Sequence, residues 1–539
     1  MNGIKSVVMA ENRKAKMVIL RDEKKRPADI LKNYLKKITG AEFSICTVKS
    51  ITPAIILKTQ DHGIDGFSYY IENENIVIEA KTEETMVFAV YDFLERIIGC
   101  RYYTPDCEKI PFDANLKVCF EDYSYTPPLQ FREILYYDYK EPEFCEKHKM
   151  SSPEYKKEVW GFFCHSFKDL CPADIYYEKH PEYFSFRNGE RVREDGQLCL
   201  SNPEVLNVVV ENLKKEIKKK PKALYWSVSQ NDNNVYCQCE ACKAQDEIDE
   251  SPMGSVLNFV NQVAEHFPDK IISTLAYWYT RKVPKITRPR ENVHILLCNI
   301  EANRGAPIEI DERSKESKQE LLAWKEICKN VFLWDYCIQF RNLVSPFPNL
   351  EVLAPNIRFF VENNVTSLFS QCNREIGGEF YELRGYLLAK LMWNPQLEYE
   401  DILDDFLTGY YHQAAPYIKT YIETIHRENT EKRLNIFGGP EDGRNSYLSA
   451  ENYKKYEQLF EQALEAVKED EDAAYRVYTA RLPLLYAGIV LKYGTKQEQT
   501  ERIGAFIDQA RRIGLEKVEE WKITTDKFIA DSIAALHRM

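Results

Sequence analysis

The chain has 539 residues, of which 44% are hydrophobic and 29% are charged, and its formal net charge is −12. This length exceeds one ordinary domain and supplies enough apolar material for large cores. The acidic balance argues against a general nucleic-acid-binding protein, and no apolar run is long enough to span a membrane. We therefore expect a soluble multidomain protein that binds neither nucleic acid nor membranes.

The amino terminus lacks the apolar core of a secretion signal. As written, the chain predicts a cytoplasmic protein, and a longer natural precursor would instead predict a secreted or periplasmic one. The 15 cysteines are an odd number scattered over a large chain, which fits reduced thiols better than a disulfide framework.

Residues 1–125 alternate short strands with helices and predict a small α/β domain. The predicted strands include 17–20, 55–57, 67–71 and 76–80, and the predicted helices are 28–39 and 85–98. Both helices carry apolar residues at helical spacing, and they end at Gly40 and Gly99. Because this region has no glycine-rich phosphate loop, we predict no nucleotide site there.

Residues 126–393 alternate apolar strands with helices, and each strand ends in polar or aromatic residues. The predicted strands are 131–138, 160–165, 223–232, 271–280, 293–301, 331–336 and 367–373, and the predicted helices are 203–218, 254–267, 316–329 and 354–363. This alternation predicts a central TIM-type (β/α)8 barrel, although its last strand cannot be placed.

Residues 394–539 show helical periodicity without strands and predict a C-terminal helical domain. The predicted helices are 401–428, 453–468, 473–491 and 498 to the end. The predicted fold is thus α/β and multidomain, with a small N-terminal α/β domain, a TIM-type barrel and a helical region.

The segment 223–232 predicts a buried strand followed by a loop that carries active-site residues. Apolar residues give way abruptly to Gln230, Asn231 and Asp232. Counting by two places Trp226, Gln230 and Asp232 on one side, so we expect the Asp232 carboxylate at the rim of the barrel. A purely structural asparagine-rich turn is the alternative.

Predicted strand ends also offer carboxylates elsewhere, at Asp138, Glu301 and Asp335. Glycoside hydrolysis needs two carboxyl groups that face the scissile bond, one as general acid and one as nucleophile or base. Asp335 lies between Trp334 and Tyr336, whose rings would partly desolvate it and stack on a sugar. Glu301 is a similar candidate, whereas Asp138 is expected on a surface loop. For each carboxylate, a structural role is the alternative.

Further side chains near these strand ends are predicted to contact the substrate through ring stacking or hydrogen bonds. They are Arg132, His165, Trp226, Gln230, Asn231, Tyr277, Trp278, Trp334, Tyr336 and Gln371. Lone residues such as Arg132 and His165 are commonly satisfied structural partners instead.

Cys237, Cys239 and Cys242 have the close spacing of thiolate metal ligands, and Cys199 is a candidate fourth ligand. No second C-x-x-C motif completes a standard zinc ribbon. Clustered free thiols, or a disulfide in an exported protein, are therefore the alternatives to a structural zinc. We expect catalysis to require no cofactor.

Several stretches resemble known families. Residues 88–106 resemble the end of the N-terminal domain shared by α-glucuronidases and β-hexosaminidase-like enzymes. Residues 227–232 with 237–242, then 274–280, 334–336 and 386–395, resemble the bacterial family called domain of unknown function 4838. The resemblance implies an α-glucuronidase-like architecture in bacteria that degrade polysaccharides.

By the same resemblance, Asp335 corresponds to a carboxylate that helps to activate water in α-glucuronidases. Where relatives often place a glutamate after the seventh strand, this chain has Phe369-Ser-Gln371. Glu375 or Glu379 is a candidate substitute, and a pair formed by Asp232 and Asp335 is the other option.

The predicted function is a glycoside hydrolase that acts on a plant or host glycan, with a uronic-acid-containing glycan as one option. Asp232 or Glu301 would be the general acid, and Asp335 the base or nucleophile. The alternatives are a non-catalytic glycan-binding protein on a degenerate barrel, and a metal-dependent enzyme that uses the cysteine cluster. The predicted partner is a carbohydrate, with a second copy of the chain as an option.

Overall fold

The computed structural model describes residues 4–22, 25–47, 52–194 and 196–538. The architecture is mixed α/β, with a curled parallel sheet, a smaller mixed sheet and many helices. Within the described ranges, no helix combines the length and apolar character needed to cross a membrane.

The N-terminal region is built on a mixed sheet of six strands in the order β12-β7-β8-β6-β4-β5. All the strands of the N-terminal region, in this sheet and outside it, are β1 (Lys5–Val8), β2 (Ala10–Glu11), β3 (Lys14–Ala15), β4 (Val18–Arg21), β5 (Ile45–Cys46), β6 (Ala54–Thr59), β7 (Phe67–Glu72), β8 (Asn75–Ala80), β9 (Arg101–Thr104), β10 (Cys107–Lys109), β11 (Lys117–Phe120) and β12 (Tyr123–Tyr125).

Two helices of this region, α1 (Arg26–Thr39) and α2 (Glu83–Phe93), confirm the predicted ones to within a few residues. A π-helical turn, Leu94–Ile98, extends α2. Gly40 and Gly99 end these segments in the left-handed conformation that only glycine adopts freely, with φ of 70° and 94°.

The middle region contains the curled sheet, in which six parallel strands run in the order β13-β20-β19-β18-β17-β16. The strands of the middle region are β13 (Phe131–Ile134), β14 (Phe186–Arg187), β15 (Glu190–Arg191), β16 (Tyr225–Ser227), β17 (Ile271–Ala276), β18 (Val293–Cys298), β19 (Val331–Tyr336) and β20 (Val365–Gln371). Strands β14 and β15 form a separate hairpin.

Aromatic rings fill the interior of the curl and bring its two edges together. The ring centroid of Phe131 on β13 lies 5.3 Å from that of Phe332 and 6.4 Å from that of Trp160. Trp160 forms a parallel bridge with Tyr225 and stacks on it at 4.8 Å. The sheet therefore curls into a half-barrel, and the eight strands expected of a complete barrel are not found among the described residues.

Five predicted strands are shorter than expected, and two of them are reduced the most. The strand predicted at 160–165 is reduced to the bridge at Trp160, because the backbone turns into the left-handed region at His165, with φ of 51°. The strand predicted at 223–232 contains only Tyr225–Ser227. The side chain of Tyr225, and not that of Trp226, faces the interior of the curled sheet. The predicted row of inward-facing residues is therefore wrong by one residue.

The helices of the middle region surround the sheet and include the four predicted ones. They are α3 (Pro142–Lys147), α4 (Pro153–Val159), α5 (Phe167–Leu170), α6 (Ala173–Tyr176), α7 (Pro203–Lys219), α8 (Glu240–Ile248), α9 (Met253–Glu265), α10 (Lys315–Ile327), α11 (Leu350–Glu362) and α12 (Tyr381–Trp393).

The remaining helices form the C-terminal region and confirm its predicted helical character. They are α13 (Tyr399–Tyr411), α14 (Ala415–Glu428), α15 (Ala450–Ala466), α16 (Glu471–Leu491), α17 (Lys496–Ile513) and α18 (Thr525–His537). The single helix predicted over 401–428 is broken at His412, where φ is 48°. The last predicted helix is broken at Gly514, which ends α17 in the left-handed conformation.

The connection 429–449 returns from the C-terminal helices to the curled sheet. The amide of Arg304 donates to the Leu434 carbonyl at 3.3 Å, and the amide of Phe340 donates to the Ile436 carbonyl at 2.7 Å. Both bonds lie beyond the carboxyl ends of sheet strands, so this connection covers part of the edge where a functional site is expected.

Candidate active site

A cavity of about 710 Å³ opens at the carboxyl edge of the curled sheet. Tyr277 and Trp278 follow β17, and Glu301 follows β18 at its wall. Arg433 and Phe437 reach it from the connection 429–449. Because parallel α/β sheets place their catalytic groups at this edge, the cavity is the candidate active site.

Asp232 is exposed on the loop that follows β16 and lies next to the cavity through its contact with Tyr277. The Asn231 amide donates to Gln197 Oε1 at 2.9 Å, and Gln197 Nε2 donates back to the Asn231 carbonyl at 2.9 Å. Gln197 Nε2 also donates to Asn233 Oδ1 at 2.8 Å. These bonds fix the backbone on both sides of Asp232.

The Tyr277 hydroxyl donates a hydrogen bond to the Asp232 carboxylate. Burial and then the charge of this carboxylate raise the pKa of Tyr277, so the hydroxyl stays protonated at physiological pH. Tyr277 is thus a permanent hydrogen-bond donor to Asp232.

Glu301 lines the cavity, with 42% of its side chain exposed, and forms an ion pair with Arg281. The same guanidinium faces Glu320 at 3.4 Å and Glu316 at 3.5 Å. Burial raises the pKa of Glu320 to about 7, although Arg281 opposes that shift. Three carboxylates therefore share one guanidinium.

Cys298 ends β18, three residues before Glu301, and is buried. Burial raises the pKa of this thiol well above its usual range, and the charges of Glu301 and Asp232 both add to the shift. The Tyr336 hydroxyl bonds to the same sulfur.

Trp334 and Tyr336 face the interior below the rim, with nearly parallel rings whose centroids are 6.1 Å apart. Trp334 Nε1 donates to Gln371 Oε1 at 2.8 Å, which orients both side chains. His165 is partly buried, and its Nδ1 lies 2.8 Å from the Gln230 carbonyl. Substrate contacts by these residues stay predictions.

Asp335 is located differently from Asp232 and Glu301. It is 5% exposed and, unlike Trp334 and Tyr336, it points away from the interior of the sheet. Its Oδ1 accepts from Asn299 Nδ2 at 2.8 Å and lies 3.6 Å from Arg304 Nη1. The predicted role of Asp335 as base or nucleophile stays untested, and its contacts are those of a residue that supports the loops around the cavity.

Several predicted site residues are engaged in the framework. Trp226 is 1% exposed and packs its ring against Gly161, so its predicted sugar stacking is wrong. Arg132 is also 1% exposed and donates to the Lys149 carbonyl at 2.8 Å and to Asp65 at 3.0 Å, so its predicted substrate contact is wrong as well. Both side chains stabilise the fold instead.

The polar residues of the loop 228–236, which we call the rim loop, are likewise engaged in hydrogen bonds within the fold. Gln230 is 1% exposed, and its Nε2 donates to Thr280 Oγ1 at 2.7 Å. Asn231 Nδ2 donates to the Gly196 carbonyl at 2.9 Å. These two predicted substrate contacts are therefore replaced by loop-stabilising bonds, which agrees with the structural alternative for this segment.

The other carboxylates considered from the sequence lie outside the cavity wall. Glu375 pairs with Lys517 at 3.3 Å, and Glu379 is buried in an ion pair with Arg384. Asp138 is 9% exposed rather than on a surface loop, because the chain forms a buried helical turn there.

Sequence reasoning missed three charged groups near the site. Arg313 and Arg433 line the cavity, but they come from segments far from the predicted strand ends. Glu133 lies within the curl and accepts from Lys156 Nζ at 2.9 and 2.7 Å. The only sequence signal for Glu133 was its place next to Arg132 in a predicted strand. Successive side chains of a strand point to opposite faces, so one of two neighbours faces inward.

A separate group close to the rim loop contains the four cysteines Cys199, Cys237, Cys239 and Cys242. Their Sγ atoms all lie within 4.8 Å of one another. The sequence-predicted set is thus brought together, and its donors are those that suit a soft metal ion.

The sequence profile of the domain of unknown function DUF4838 matches residues 102–423, which is more than half of the chain. The chain belongs to this family. The family resemblance drawn from the sequence motifs is thereby confirmed. Among curated proteins, none matches this DUF4838 chain.

Solved structures similar to this DUF4838 chain include several glycoside hydrolases. A family 89 glycoside hydrolase from Clostridium perfringens, in complex with 2-acetamido-1,2-dideoxynojirmycin, has a TM-score of 0.54 at 12% identity, over 91% of this chain and 64% of that one. The DUF4838 chain thus spans less than two thirds of that enzyme.

Two further structures match with lower TM-scores. The chitobiase of Flavobacterium johnsoniae has a TM-score of 0.45 at 10% identity, over 99% of this chain and 98% of that one. A family 138 glycoside hydrolase targeting pectin rhamnogalacturonan II also has a TM-score of 0.45 at 10% identity, over 96% of this chain and 78% of that one. At these identities, the family 89 match shows a shared fold.

Proposed function

We propose that this chain is a glycoside hydrolase with Asp232 and Glu301 as its two catalytic carboxyl groups. The observation that supports this most directly is that Glu301 lines the cavity and that Asp232 accepts a hydrogen bond from Tyr277, which lines the same cavity. Two carboxyl groups that face each other across a cavity are the equipment for glycosidic bond cleavage. A fold shared with a family 89 glycoside hydrolase supports the same reaction class.

The surroundings of each group suggest its role. Asp232 accepts a hydrogen bond from Tyr277, which orients its carboxylate for the role of a nucleophile or of a base that activates water. Glu301 lines the cavity, and its ion pair with Arg281 fixes its carboxyl group at the wall. We assign Glu301 as the acid that protonates the leaving oxygen.

The cavity wall favours an acidic sugar. Arg433 lines it, and an arginine fork matches the geometry of a carboxylate. The neighbouring Arg313 guanidinium is held by Asp311 and by the Glu431 and Lys432 carbonyls. Trp278 and Phe437 are 43% and 44% exposed there, which leaves ring faces free for sugar stacking. A glycan that carries uronic acid fits both features, and this narrows the substrate class within the proposal.

The test is sugar release from a panel of aryl glycosides and plant oligosaccharides, half of which carry a uronic acid. We expect Asp232→Asn and Glu301→Gln each to lower turnover of the best substrate by at least about 100-fold, the scale of lost acid–base catalysis. Glu312→Gln is the matched control, since this carboxylate is 87% exposed and outside the cavity.

A second candidate function is glycan binding without turnover. It is favoured by the position that corresponds to the relatives' glutamate, where Ser370 is fully buried, and by the burial of Asp335 beside Arg304. Calorimetry that detects an oligosaccharide bound to a wild type that cleaves no member of the panel would establish this function and contradict the hydrolase.

A further inference from the structure

The four-cysteine cluster joins two segments that are distant in sequence. Cys199 lies just before α7, whereas Cys237 and Cys239 follow the rim loop and Cys242 lies in the first turn of α8. Three of the four side chains are buried, and Cys239 is partly buried. All four cysteines are free thiols.

The spacing of the sulfur atoms matches a tetrahedral metal site. A zinc ion with four bonds of about 2.3 Å to sulfur sets its ligands about 3.8 Å apart. The Cys199 and Cys239 sulfurs are 3.7 Å apart, and no pair within the cluster exceeds 4.8 Å. Two disulfides would need only pairwise proximity, whereas here each sulfur faces the other three.

The groups around the sulfurs are donors, as negatively charged thiolates require. The Phe186 amide donates to Cys237 Sγ at 3.3 Å, and the Arg191 guanidinium contacts the Cys199 sulfur. The Ser201 hydroxyl lies 3.5 Å from Cys239 Sγ. The amino terminus of α8, which begins at Glu240, adds its positive helix dipole.

We propose that Cys199, Cys237, Cys239 and Cys242 bind one structural zinc ion. Thiolate ligands select zinc over hard ions such as magnesium or calcium. Binding replaces the four S–H protons, which pass to solvent, by four sulfur–zinc bonds, with no change of oxidation state. Four protein ligands leave no open position for water or substrate, so the ion has a structural role and does not support a metal-dependent enzyme.

The zinc would hold the rim loop in place. Cys199 is two residues from Gln197, which bonds to the backbone on both sides of Asp232, at the Asn231 amide and the Asn233 carbonyl. The amide of Ser185 donates to the Gln197 carbonyl at 2.8 Å, and the amide of Cys199 donates to the Tyr183 carbonyl at 2.8 Å. The metal ion thus links segment 196–199, through Cys199, to residues 237–242 at the far end of the rim loop.

Elemental analysis of the full chain, purified under reducing conditions, tests the site. We expect about one zinc per chain in the wild type and less than about a fifth of that in Cys239→Ser and Cys242→Ser, as for a four-ligand site. Cys171→Ser is the control, because this cysteine is buried elsewhere and should keep the zinc. A wild type without zinc, with iron in its place, or with these cysteines in disulfides would overturn the proposal.

Cobalt substitution provides a second measurement on the wild type, in case the variants do not fold. Replacing the ion by cobalt should give the intense thiolate charge-transfer and tetrahedral ligand-field bands of a four-sulfur site. Weak octahedral bands would contradict the assignment.

Hydrogen exchange before and after chelation tests whether the zinc ion holds the rim loop in place, independently of any activity. Removal of zinc should speed exchange at the Asn231 amide and through 228–242 by at least about tenfold, because these bonds then open more often. Exchange in α16 serves as the internal control. Unchanged exchange at Asn231 in the metal-free protein would show that the ion does not hold this loop.

Discussion

Asp138 and Glu382 are single residues whose protonation couples the fold to pH. Both line one pocket between the sheet and the C-terminal helices. Burial raises the pKa of Asp138 to about 7 and that of Glu382 to about 8. Since burial disfavours the charged forms, the folded protein binds protons here more strongly than the unfolded chain does.

The sign of the effect follows from linkage. Below about pH 4 both groups are protonated in the folded and unfolded states, and stability is then independent of them. As pH rises from about 4 to about 8, the unfolded chain loses these protons first, so the free energy of unfolding falls. Each unit of pKa difference contributes about 1.4 kcal/mol.

We expect Asp138→Asn to flatten this decline, because the amide carries no charge to bury. The melting temperature of the variant should exceed that of the wild type by about 2 °C or more at pH 8 and should be similar at about pH 4. Thermal melts over this range measure it. A wild-type melting temperature that rises steadily from pH 5 to pH 8 would contradict the expectation.

At the scale of secondary-structure elements, an ion-pair group connects the N-terminal region to the rest of the chain. Glu95, in the π-helical turn after α2, pairs with Lys149 at 2.5 Å and also with Lys390 of α12. Burial lowers the pKa of both lysines to about 8, so both are mostly charged at neutral pH. Glu95 is in direct contact with both, and the charges of Asp92 and Asp405 oppose the lowering.

Glu95→Gln should therefore destabilise the protein by about 3–5 kcal/mol at pH 7, the usual cost of leaving a buried charge without its partner. Chemical denaturation measures this free energy. Glu143→Gln is the control, because Glu143 is 68% exposed in its pair with Lys147 and such surface pairs contribute less than about 1 kcal/mol. Equal effects of the two substitutions would refute the bridging role of Glu95.

Element prediction succeeded where the sequence pattern had one clear period. Amphipathic helices such as α7 and α9 were placed within a few residues, since one apolar face gives a strong signal. Helix α12 was missed, because ten of its thirteen residues are buried and no polar face marks the period. The inward row of β16 was assigned wrongly because a strand of three residues is too short to show which alternate side is buried.

The candidate site was predictable only where it follows the sheet strands. Asp232, Tyr277, Trp278 and Glu301 all come directly after strands or in the next turn, so their positions follow from the expected edge of the sheet. Arg433 was not predicted, since it reaches the cavity from a connection between C-terminal helices. Such a tertiary contact has no local signature.

At the scale of the whole molecule, the C-terminal region completes the cavity that the sheet begins. Phe437 stacks against Trp521, with ring centroids 6.2 Å apart, and Trp521 lies near Phe340 at 6.4 Å. The connection 429–449 is thus supported from both sides. Selectivity for the substrate should depend on this connection as well as on the strand ends.

Arg433→Ala should raise KM for substrates with a uronic acid by about 10-fold while leaving neutral substrates nearly unchanged, since it removes one charge-assisted contact. Steady-state kinetics on paired acidic and neutral substrates measures the difference. Arg427→Ala is the control, because this arginine is 66% exposed and does not line the cavity. An equal loss for both substrate types would argue against recognition of a carboxylate by Arg433.

Turnover of one cleaved substrate by Asp232→Asn, Glu301→Gln and Asp335→Asn, compared side by side per folded molecule, is the most direct measurement of the central claim. The two cavity-facing substitutions should each lose at least about 100-fold in kcat, the scale of acid–base catalysis, whereas folded Asp335→Asn should lose clearly less. The reverse order, with Asp335→Asn inactive and either of the others active, would contradict the assignment of Asp232 and Glu301 as the catalytic pair.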